Sequence, residues 1–299
     1  DCEDPREYCY GYHPVQIGDT FNRRYQVVSK LGWGFFATVW LCIDLSGRRV
    51  AVKVLKSGAE FTQAGQDELT LLRYSSGPVS RHPYSQRVVQ LLDEFKLAGV
   101  NGVMCLVLEL LGLNLRSWQL CFGNPGLLQP WVKQILTQVL QGLDYLHTRC
   151  KIIHTDIKPD NILLHLKEQT HVSPPKEISV KIADLGSSCW VRFCLVLTMV
   201  RQLTSGVWLA WHISQIIELL GKIPPDVALS GKYSAEYFNR KDLRHVGPLK
   251  PWRLYDVLVE KYNFLLGEAS EFSDFLLPML DYHSERRVTA AQCLQHPWL

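Results

Sequence analysis

The hydrophobic pattern of this chain changes near Gly112, and that change limits the possible folds more than any other feature. Before it, short β-branched or aromatic runs at Tyr25–Leu31, Ala37–Asp44 and Arg49–Leu55 are separated by glycines, a pattern typical of strands. After it, Trp131–Thr148 repeats its apolar residues at helical spacing. Strands that precede helices in this way indicate an α+β fold, with the two kinds of structure segregated along the chain.

The natural division is a β-rich small lobe over about residues 1–109 and a mainly helical large lobe over 110–299. Residues Glu109–Gly112 would form the hinge between the lobes. The other predicted elements are a helix at Thr62–Tyr74, strands at Val88–Phe95 and Val103–Glu109, and helices at Leu254–Leu266 and Phe272–Leu280.

Charge, cysteine spacing and hydropathy argue against nucleic-acid binding, a zinc site and a membrane span. A net charge of +3 over 299 residues, with no long Lys/Arg run and no aromatic–basic motif, argues against nucleic acid as a direct partner. The nine cysteines are scattered without zinc spacing, so we expect reduced thiols. The most apolar stretch, Phe193–Ile217, contains Arg201, Gln202 and His212, so we expect no membrane span.

A glycine-containing run lies at the turn between the first two long strands. It reads Leu31-Gly32-Trp33-Gly34-Phe35-Phe36-Ala37-Thr38-Val39. Glycines allow the backbone to approach phosphates closely, and the run resembles the kinase loop G-x-G-x-x-G-x-V with Ala37 in place of the third glycine. Taken alone, such a run is more often an ordinary hairpin with two turn glycines.

A lysine stands inside the apolar strand Val50-Ala51-Val52-Lys53. A buried lysine is costly unless it meets an anion, and the strand resembles the V-A-I-K strand of kinases. Glu68 on the following helix is the expected partner, with Asp67 as the fallback. An edge lysine that extends to solvent would account for this motif equally well if no other motif matched.

The third and fourth motifs follow the long helix. Ile153-His154-Thr155-Asp156-Ile157-Lys158-Pro159-Asp160-Asn161 fits H-R-D-x-x-x-x-N, and Lys181-Ile182-Ala183-Asp184-Leu185-Gly186 resembles a strand that ends in D-F-G. In that scheme Asp156 accepts the proton of the substrate hydroxyl and Lys158 steadies the γ-phosphoryl group. Asn161 and Asp184 hold Mg²⁺. Four motifs in the right order are hard to explain by chance.

The chain as a whole resembles the SR-protein kinases, serine/threonine kinases of Arg/Ser-rich splicing factors. The residues that carry the resemblance are Tyr12-His13-Pro14-Val15, Leu31-Gly32-Trp33-Gly34, Thr38-Val39-Trp40-Leu41-Cys42, Leu143-Asp144-Tyr145-Leu146-His147-Thr148, Ile152–Pro159 and Leu294-Gln295-His296-Pro297-Trp298-Leu299. The resemblance implies a bilobal protein-kinase fold, ATP and Mg²⁺ as cofactors, Arg/Ser-rich protein substrates, and residence in cytoplasm and nucleus. It also implies an adenine site formed by Leu31, Val39 and Ala51 and by the hinge backbone of Glu109 and Leu111.

One residue of the family motifs, Thr155, and two departures from the family bear on the expected activity. Thr155 replaces the arginine that pairs with a phosphorylated activation loop in many kinases, so activation by loop phosphorylation is not expected. Only a short loop separates Leu164 from Ile178, where family members usually carry a long spacer. In Val191–Ile213 the resemblance stops.

The second departure, in Val191–Ile213, removes acidic residues that kinases use. Between Asp184 and Asp226 only Glu218 is acidic, so the A-P-E glutamate and the aspartate of the buried helix after it cannot both be present. Arg287, which would pair with that glutamate, is expected to lack a carboxylate partner. The alternative to an active kinase is therefore a shortened kinase isoform, an ATP-binding interaction module with impaired catalysis.

Overall fold

The computed structural model describes residues 11–77, 82–97, 102–121, 127–165, 177–190, 206–232, 234–239, 244 and 249–299. The chain divides into two compact units, Asp1–Cys194 and Leu195–Leu299. The predicted loop Lys167–Glu177 and most of the atypical segment Val191–Ile213 lie outside the described residues.

An antiparallel sheet dominates the first half of the first unit, with strand order β1-β2-β3-β4-β6-β5. Its strands are β1 (Thr20–Phe21), β2 (Tyr25–Trp33), β3 (Ala37–Ile43), β4 (Arg49–Leu55), β5 (Leu91–Lys96) and β6 (Met104–Glu109). One face packs around Trp40, Val52 and Val107 into an apolar cluster. In the register of β3 and β4, Val39 lies opposite Lys53, so that both project from the other face.

Helix α1 (Ala59–Ser76) follows β4 and packs on the sheet. Its buried residues Leu69, Leu71 and Leu72 join Leu55 and Leu106 in a second apolar cluster. The same cluster contains Tyr145, whose hydroxyl donates to the carbonyl of Ser75 at 2.7 Å and so fixes the end of the helix. This packing holds Glu68, a buried residue, on the side of the helix that faces the sheet.

The remainder of the first unit is built around one long helix. Helix α2 (Leu115–Leu120) begins at the Asn114 cap, and α3 (Gln129–Asp144) continues into a π-helical stretch, Tyr145–Cys150. The short strands that follow are β7 (Ile152–Ile153), β8 (Ile162–Leu164), β9 (Val180–Ile182) and β10 (Cys189–Trp190). β8 pairs with β9 and β7 with β10. These pairs place the two predicted catalytic motifs side by side.

The second unit is helical in its described residues. Its helices are α4 (Gly206–Leu220), α5 (Pro225–Ala228), α6 (Ser234–Tyr237), α7 (Leu254–Glu260), α8 (Leu266–Leu276) and α9 (Ala290–Cys293). Phe275 and Trp298 stack with their ring centroids 4.8 Å apart and anchor the C-terminal residues. None of the described helices is long and apolar enough to cross a membrane.

Strands and one helix thus come first and helices follow, which confirms the predicted α+β class. Two boundaries differ from expectation: α7 ends at Glu260 rather than Leu266, and the helix predicted to begin at Phe272 begins earlier, as α8 at Leu266. The two are separated by Asn263 in the left-handed conformation (φ 55), which ends the first helix. The described cysteines form no disulfide.

Candidate active site

The glycine-containing loop connects β2 and β3 and is closed by its own backbone. The amide of Gly34 donates to the carbonyl of Ala37 at 2.9 Å, and the amide of Lys56 donates to the carbonyl of Phe36 at 2.9 Å. Leu31, Trp33 and Phe35 are exposed, whereas the side chains of Ala37 and Thr38 are buried. The tip of the loop is therefore open to solvent, whereas Ala37 and Thr38, the first residues of β3, are buried.

Lys53 lies between two carboxylates. Its Nζ is 2.7 Å from Oε1 and 2.9 Å from Oε2 of Glu68, and 2.9 Å from Oδ1 of Asp184. The pairing with Glu68, rather than with Asp67, is the one that the sequence favoured. The exposed fractions of the Lys53 and Glu68 side chains are 12% and 5%, whereas that of Asp184 is 45%. The first pair is a buried ion pair, and Asp184 remains open to a ligand.

The protonation states of Lys53, Glu68 and Asp184 depend on one another. Burial by itself lowers the pKa of Lys53, but the carboxylates of Glu68 and Asp184 outweigh it and raise that pKa. The ammonium of Lys53 lowers the pKa of Asp184, which is therefore ionised at neutral pH. Burial raises the pKa of Glu68, although Lys53 acts in the opposite direction.

Asp156, Lys158 and Asn161 form a second cluster in the turn between β7 and β8. Nζ of Lys158 donates to Oδ2 of Asp156 at 2.7 Å. Nδ2 of Asn161 donates to the backbone carbonyl of Asp156 at 2.9 Å and to its Oδ2 at 3.1 Å. These bonds orient the carboxylate and leave the amide oxygen of Asn161 as the atom that can ligate a cation.

The two clusters are joined through Ala183, the residue before Asp184. Its amide donates to the carbonyl of Asn161 at 2.8 Å, and its carbonyl is 2.9 Å from Nε2 of His154. The amide of Asp156 lies 3.3 Å from Nδ1 of the same ring. Burial lowers the pKa of His154, and this pair of contacts fits the neutral ring that carries its proton on Nε2.

Thr155 occupies a left-handed conformation (φ 67), which a β-branched residue rarely adopts. Its hydroxyl donates to the carbonyl of Ser187 at 2.7 Å, beyond the Asp184-Leu185-Gly186 motif. Asp184 is itself left-handed, with φ 62. Strain of this kind collects at functional sites, where the surrounding structure holds it in place.

The oxygen donors of this region suit Mg²⁺. Within the described residues, no group of three or more His, Cys, Asp or Glu side chains could hold a metal ion. Asn161 and Asp184 offer two hard oxygen ligands, and Mg²⁺ usually takes one or two carboxylates and completes its octahedron with waters and substrate phosphates. The residues present therefore fit Mg²⁺ that arrives together with a nucleotide.

At the hinge, the structure reveals an ion pair that the motif analysis missed. Nζ of Lys181, on β9, is 2.7 Å and 2.8 Å from the carboxylate oxygens of Glu109, and the amide of Gln90 donates to the same carboxylate at 2.9 Å. Lys181 is buried in an apolar strand, the same pattern that identified Lys53. The sequence could therefore have predicted that Lys181 needs an anionic partner. The pair fixes the residue at which the backbone leaves β6.

Of the residues predicted to contact adenine, Leu31 lies on β2, Val39 on β3 and Ala51 on β4, and Glu109 is the last residue of β6. Ala51 lies opposite Leu108 in the sheet, one position before Glu109. In the described part of the chain, the amide of Leu111 has no hydrogen-bond partner and can donate to a base. Leu31 is exposed, Val39 half-buried and Ala51 buried.

Arg287 lies in the second unit and is exposed. Its Nε donates to the carbonyl of Asp281 at 2.6 Å and its guanidinium reaches the carbonyl of Tyr282 at 3.5 Å. Among the described residues, no carboxylate lies within salt-bridge distance of it. The guanidinium thus points outward instead of remaining buried without a partner.

Comparison with known proteins identifies the family. The protein kinase domain family matches residues 25–205. The chain is 32% identical to the human "SRSF protein kinase 3", with 99% of this chain and 90% of that protein covered. It is 36% identical to the "Serine/threonine-protein kinase SRPK" of Physarum polycephalum, with 97% and 89% covered. It is also 30% identical to "Protein kinase dsk1" of Schizosaccharomyces pombe, with 99% and 85% covered.

The aligned region of the human protein spans 510 positions, whereas this chain has 299 residues, so a large part of it has no counterpart here. The similarity nevertheless extends over nearly the whole chain and includes all four motifs. With its bilobal α+β kinase fold, the chain belongs to the SR-protein kinase family of serine/threonine protein kinases.

Proposed function

We propose that this kinase transfers the γ-phosphoryl group of ATP to serines in Arg/Ser-rich proteins. The observation that carries the proposal is the assembly of two clusters, Lys53–Glu68–Asp184 and Asp156–Lys158–Asn161, joined by hydrogen bonds to Ala183. Phosphoryl transfer needs positioning and charge stabilisation, and these residues supply both.

Lys53 would hold the α- and β-phosphates, and Asp184 and Asn161 would ligate Mg²⁺. The bound metal supplies charge neutralisation at the phosphate oxygens. Lys53 is prepared for this role because Glu68 keeps its ammonium charged and in place. The glycine-containing loop, residues 31–39, would cover the phosphates, and the adenine would lie against Val39 and Ala51.

Asp156 would accept the proton of the substrate serine hydroxyl. The bonds from Lys158 and Asn161 hold its carboxylate in one orientation, and general bases act only within hydrogen-bond reach of the proton they remove. Lys158, with its ammonium 2.7 Å from Asp156, can also contact the transferred phosphoryl group. His154 supports Asp156 from the backbone side.

The substrate class rests on the relatives. The printed name of the human and other mammalian relatives is "SRSF protein kinase 3". Together with the family motifs, this name supports Arg/Ser-rich splicing factors as substrates. That the kinase acts in cytoplasm and nucleus is proposed from the family resemblance alone.

A second candidate function is a nucleotide-binding module with weak catalysis. Two observations favour it: the exposed Arg287 without a carboxylate among the described residues, and the scarcity of acidic residues between Asp184 and Asp226. Both features concern the part of a kinase that receives the substrate rather than the part that binds ATP. We therefore propose slow turnover together with intact Mg-ATP binding.

Two measurements separate these proposals. Thermal shift with millimolar Mg-ATP tests binding, since a ligand that binds only the folded protein raises its melting temperature. Transfer of radiolabelled γ-phosphate to an Arg/Ser-repeat peptide, with an Arg/Ala-repeat peptide as control, tests the reaction. We expect a higher melting temperature with Mg-ATP, together with slow transfer of phosphate to the serine-containing peptide only. Absence of a shift in folded protein refutes nucleotide binding, and turnover equal to that of a complete SR-protein kinase refutes the impairment.

A further inference from the structure

The segment just before the sheet makes contacts that the catalytic scheme does not use. Tyr12, in the family motif Tyr12–Val15, donates its hydroxyl hydrogen to the carbonyl of Gly34 at 2.7 Å. Gly34 lies in the glycine-containing loop, 22 positions along the chain. Gly11, which precedes Tyr12, is held as well: its carbonyl accepts hydrogen bonds from the amide of Ser57 at 2.9 Å and from the Ser57 hydroxyl at 3.0 Å.

The contact between the N-terminal segment and the glycine-containing loop is strengthened by a lysine whose ammonium lies among aromatic rings. Nζ of Lys56 lies 4.1 Å from the ring centroid of Tyr12, 4.8 Å from that of Phe35 and 5.4 Å from that of Phe61. Lys56 is only 7% exposed, so these contacts form in a partly desolvated place, where the attraction between a cation and an aromatic face is strongest. We call Lys56 with its three rings the Lys56 cage.

The Lys56 cage connects three separate elements of the first unit. Tyr12 belongs to the N-terminal segment, Phe35 to the tip of the glycine-containing loop, and Phe61 to the first turns of α1. The amide of Lys56 itself donates to the carbonyl of Phe36 in that loop. The loop is therefore held by its own turn and by two groups outside it, the Tyr12 side chain and the Lys56 ammonium.

We propose that Tyr12 is a positioning residue of the phosphate-binding loop. With the Lys56 cage, it fastens the N-terminal segment to Gly34 and holds the loop in the conformation that receives the nucleotide. The inference rests on the proposed function in one respect, since it takes the loop to be the phosphate-binding element. Such restraint matters most for a glycine-rich loop, because its free backbone samples many conformations. A loop that is already ordered loses less conformational entropy when the nucleotide binds, so the affinity is higher.

The hydroxyl of Tyr12 is the group to test, because Tyr12→Phe removes one hydrogen bond and keeps the ring against Lys56. We expect amide hydrogen exchange of residues 32–37 to accelerate in the nucleotide-free variant, with Gly34 as the most informative position. Mg-ATP should bind about three- to tenfold more weakly by calorimetry, the effect of one net hydrogen bond. Lys56→Met, which removes the ammonium at similar length, should change both readouts in the same direction.

Tyr262→Phe is the matched control, since Tyr262 is exposed in the second unit and should alter neither readout. A purely structural role for Tyr12 would lower the melting temperature and leave loop exchange in folded protein unchanged. Unchanged exchange in Tyr12→Phe would therefore overturn the proposal. If the wild-type protein bound no Mg-ATP, the proposed function would fail, while the exchange comparison would still decide the role of Tyr12.

Discussion

Glu68→Gln is the most informative single substitution in the nucleotide site. It keeps the size of the side chain but removes the charge that compensates Lys53, whose Nζ lies 2.7 Å and 2.9 Å from the two carboxylate oxygens. One of these oxygens becomes an amide nitrogen, which cannot accept a hydrogen bond from the ammonium. The variant thus leaves a buried cation with one partner fewer.

The expected loss follows from burial. Removal of one partner from a buried ion pair costs about 3–5 kcal/mol. Because Asp184 remains 2.9 Å from the same ammonium and is partly open to water, we expect a smaller loss of unfolding free energy, about 2–3 kcal/mol. In a domain of this size that corresponds to a fall in melting temperature of about 4–10 °C.

Chemical denaturation in urea measures this loss, and Asp67→Asn provides the control. Asp67 is the adjacent acidic residue, but it is exposed and bonds only to Gln63 in the described structure. Its replacement should change the free energy of unfolding by less than about 0.5 kcal/mol. The double variant Lys53→Met, Glu68→Gln should lose less than the sum of the two single variants, since the two residues interact directly. Equal losses in Glu68→Gln and Asp67→Asn would refute the reasoning.

Three further predictions concern catalysis, pH and the second unit. Asp156→Asn should lower phosphate transfer by about 10²–10⁴-fold, the usual contribution of a general base, and leave Mg-ATP affinity nearly unchanged by calorimetry; retained transfer would place the base elsewhere. Burial lowers the pKa values of His13, His147 and His154, so the unfolded chain binds more protons than the folded chain below pH ~6.5. The melting temperature should therefore fall as the pH is lowered from 7.5 towards 5, and His154→Gln should weaken that dependence; an unchanged profile would contradict it. Arg287→Ala should cost less than about 0.5 kcal/mol in urea denaturation, because the guanidinium is exposed. A loss of several kcal/mol would reveal a buried carboxylate partner.

The sequence alone determined those parts of the site that depend on local order. Strand and helix periodicity placed β2, β3, β4 and α3 to within a few residues, because apolar side chains must face a core at the repeat of their element. The requirement that a buried lysine meets an anion led from Lys53 to Glu68, one helix later. These inferences need only neighbours in the chain and the cost of burying charge.

Contacts between distant segments were decided by the tertiary structure. Gln138 is buried in α3 because its side chain bonds to the backbone of Ile178 and Val180, some forty positions later. Gly142 has no side chain because a Cβ there would lie 2.8 Å from Ile182, on a strand that packs against the helix. Neither residue follows the apolar repeat of the helix, so periodicity could not reveal either role.

The same distinction separates the predicted from the unpredicted parts of the nucleotide site. The Lys181–Glu109 pair joins residues 72 positions apart, and Tyr12 reaches Gly34 across 22. Motifs record which residues stand next to each other in the chain, so they can name only candidates for catalytic residues. The distances between those residues come from packing, because the apolar cluster around Leu72, Leu106 and Tyr145 brings strand, helix and loop together.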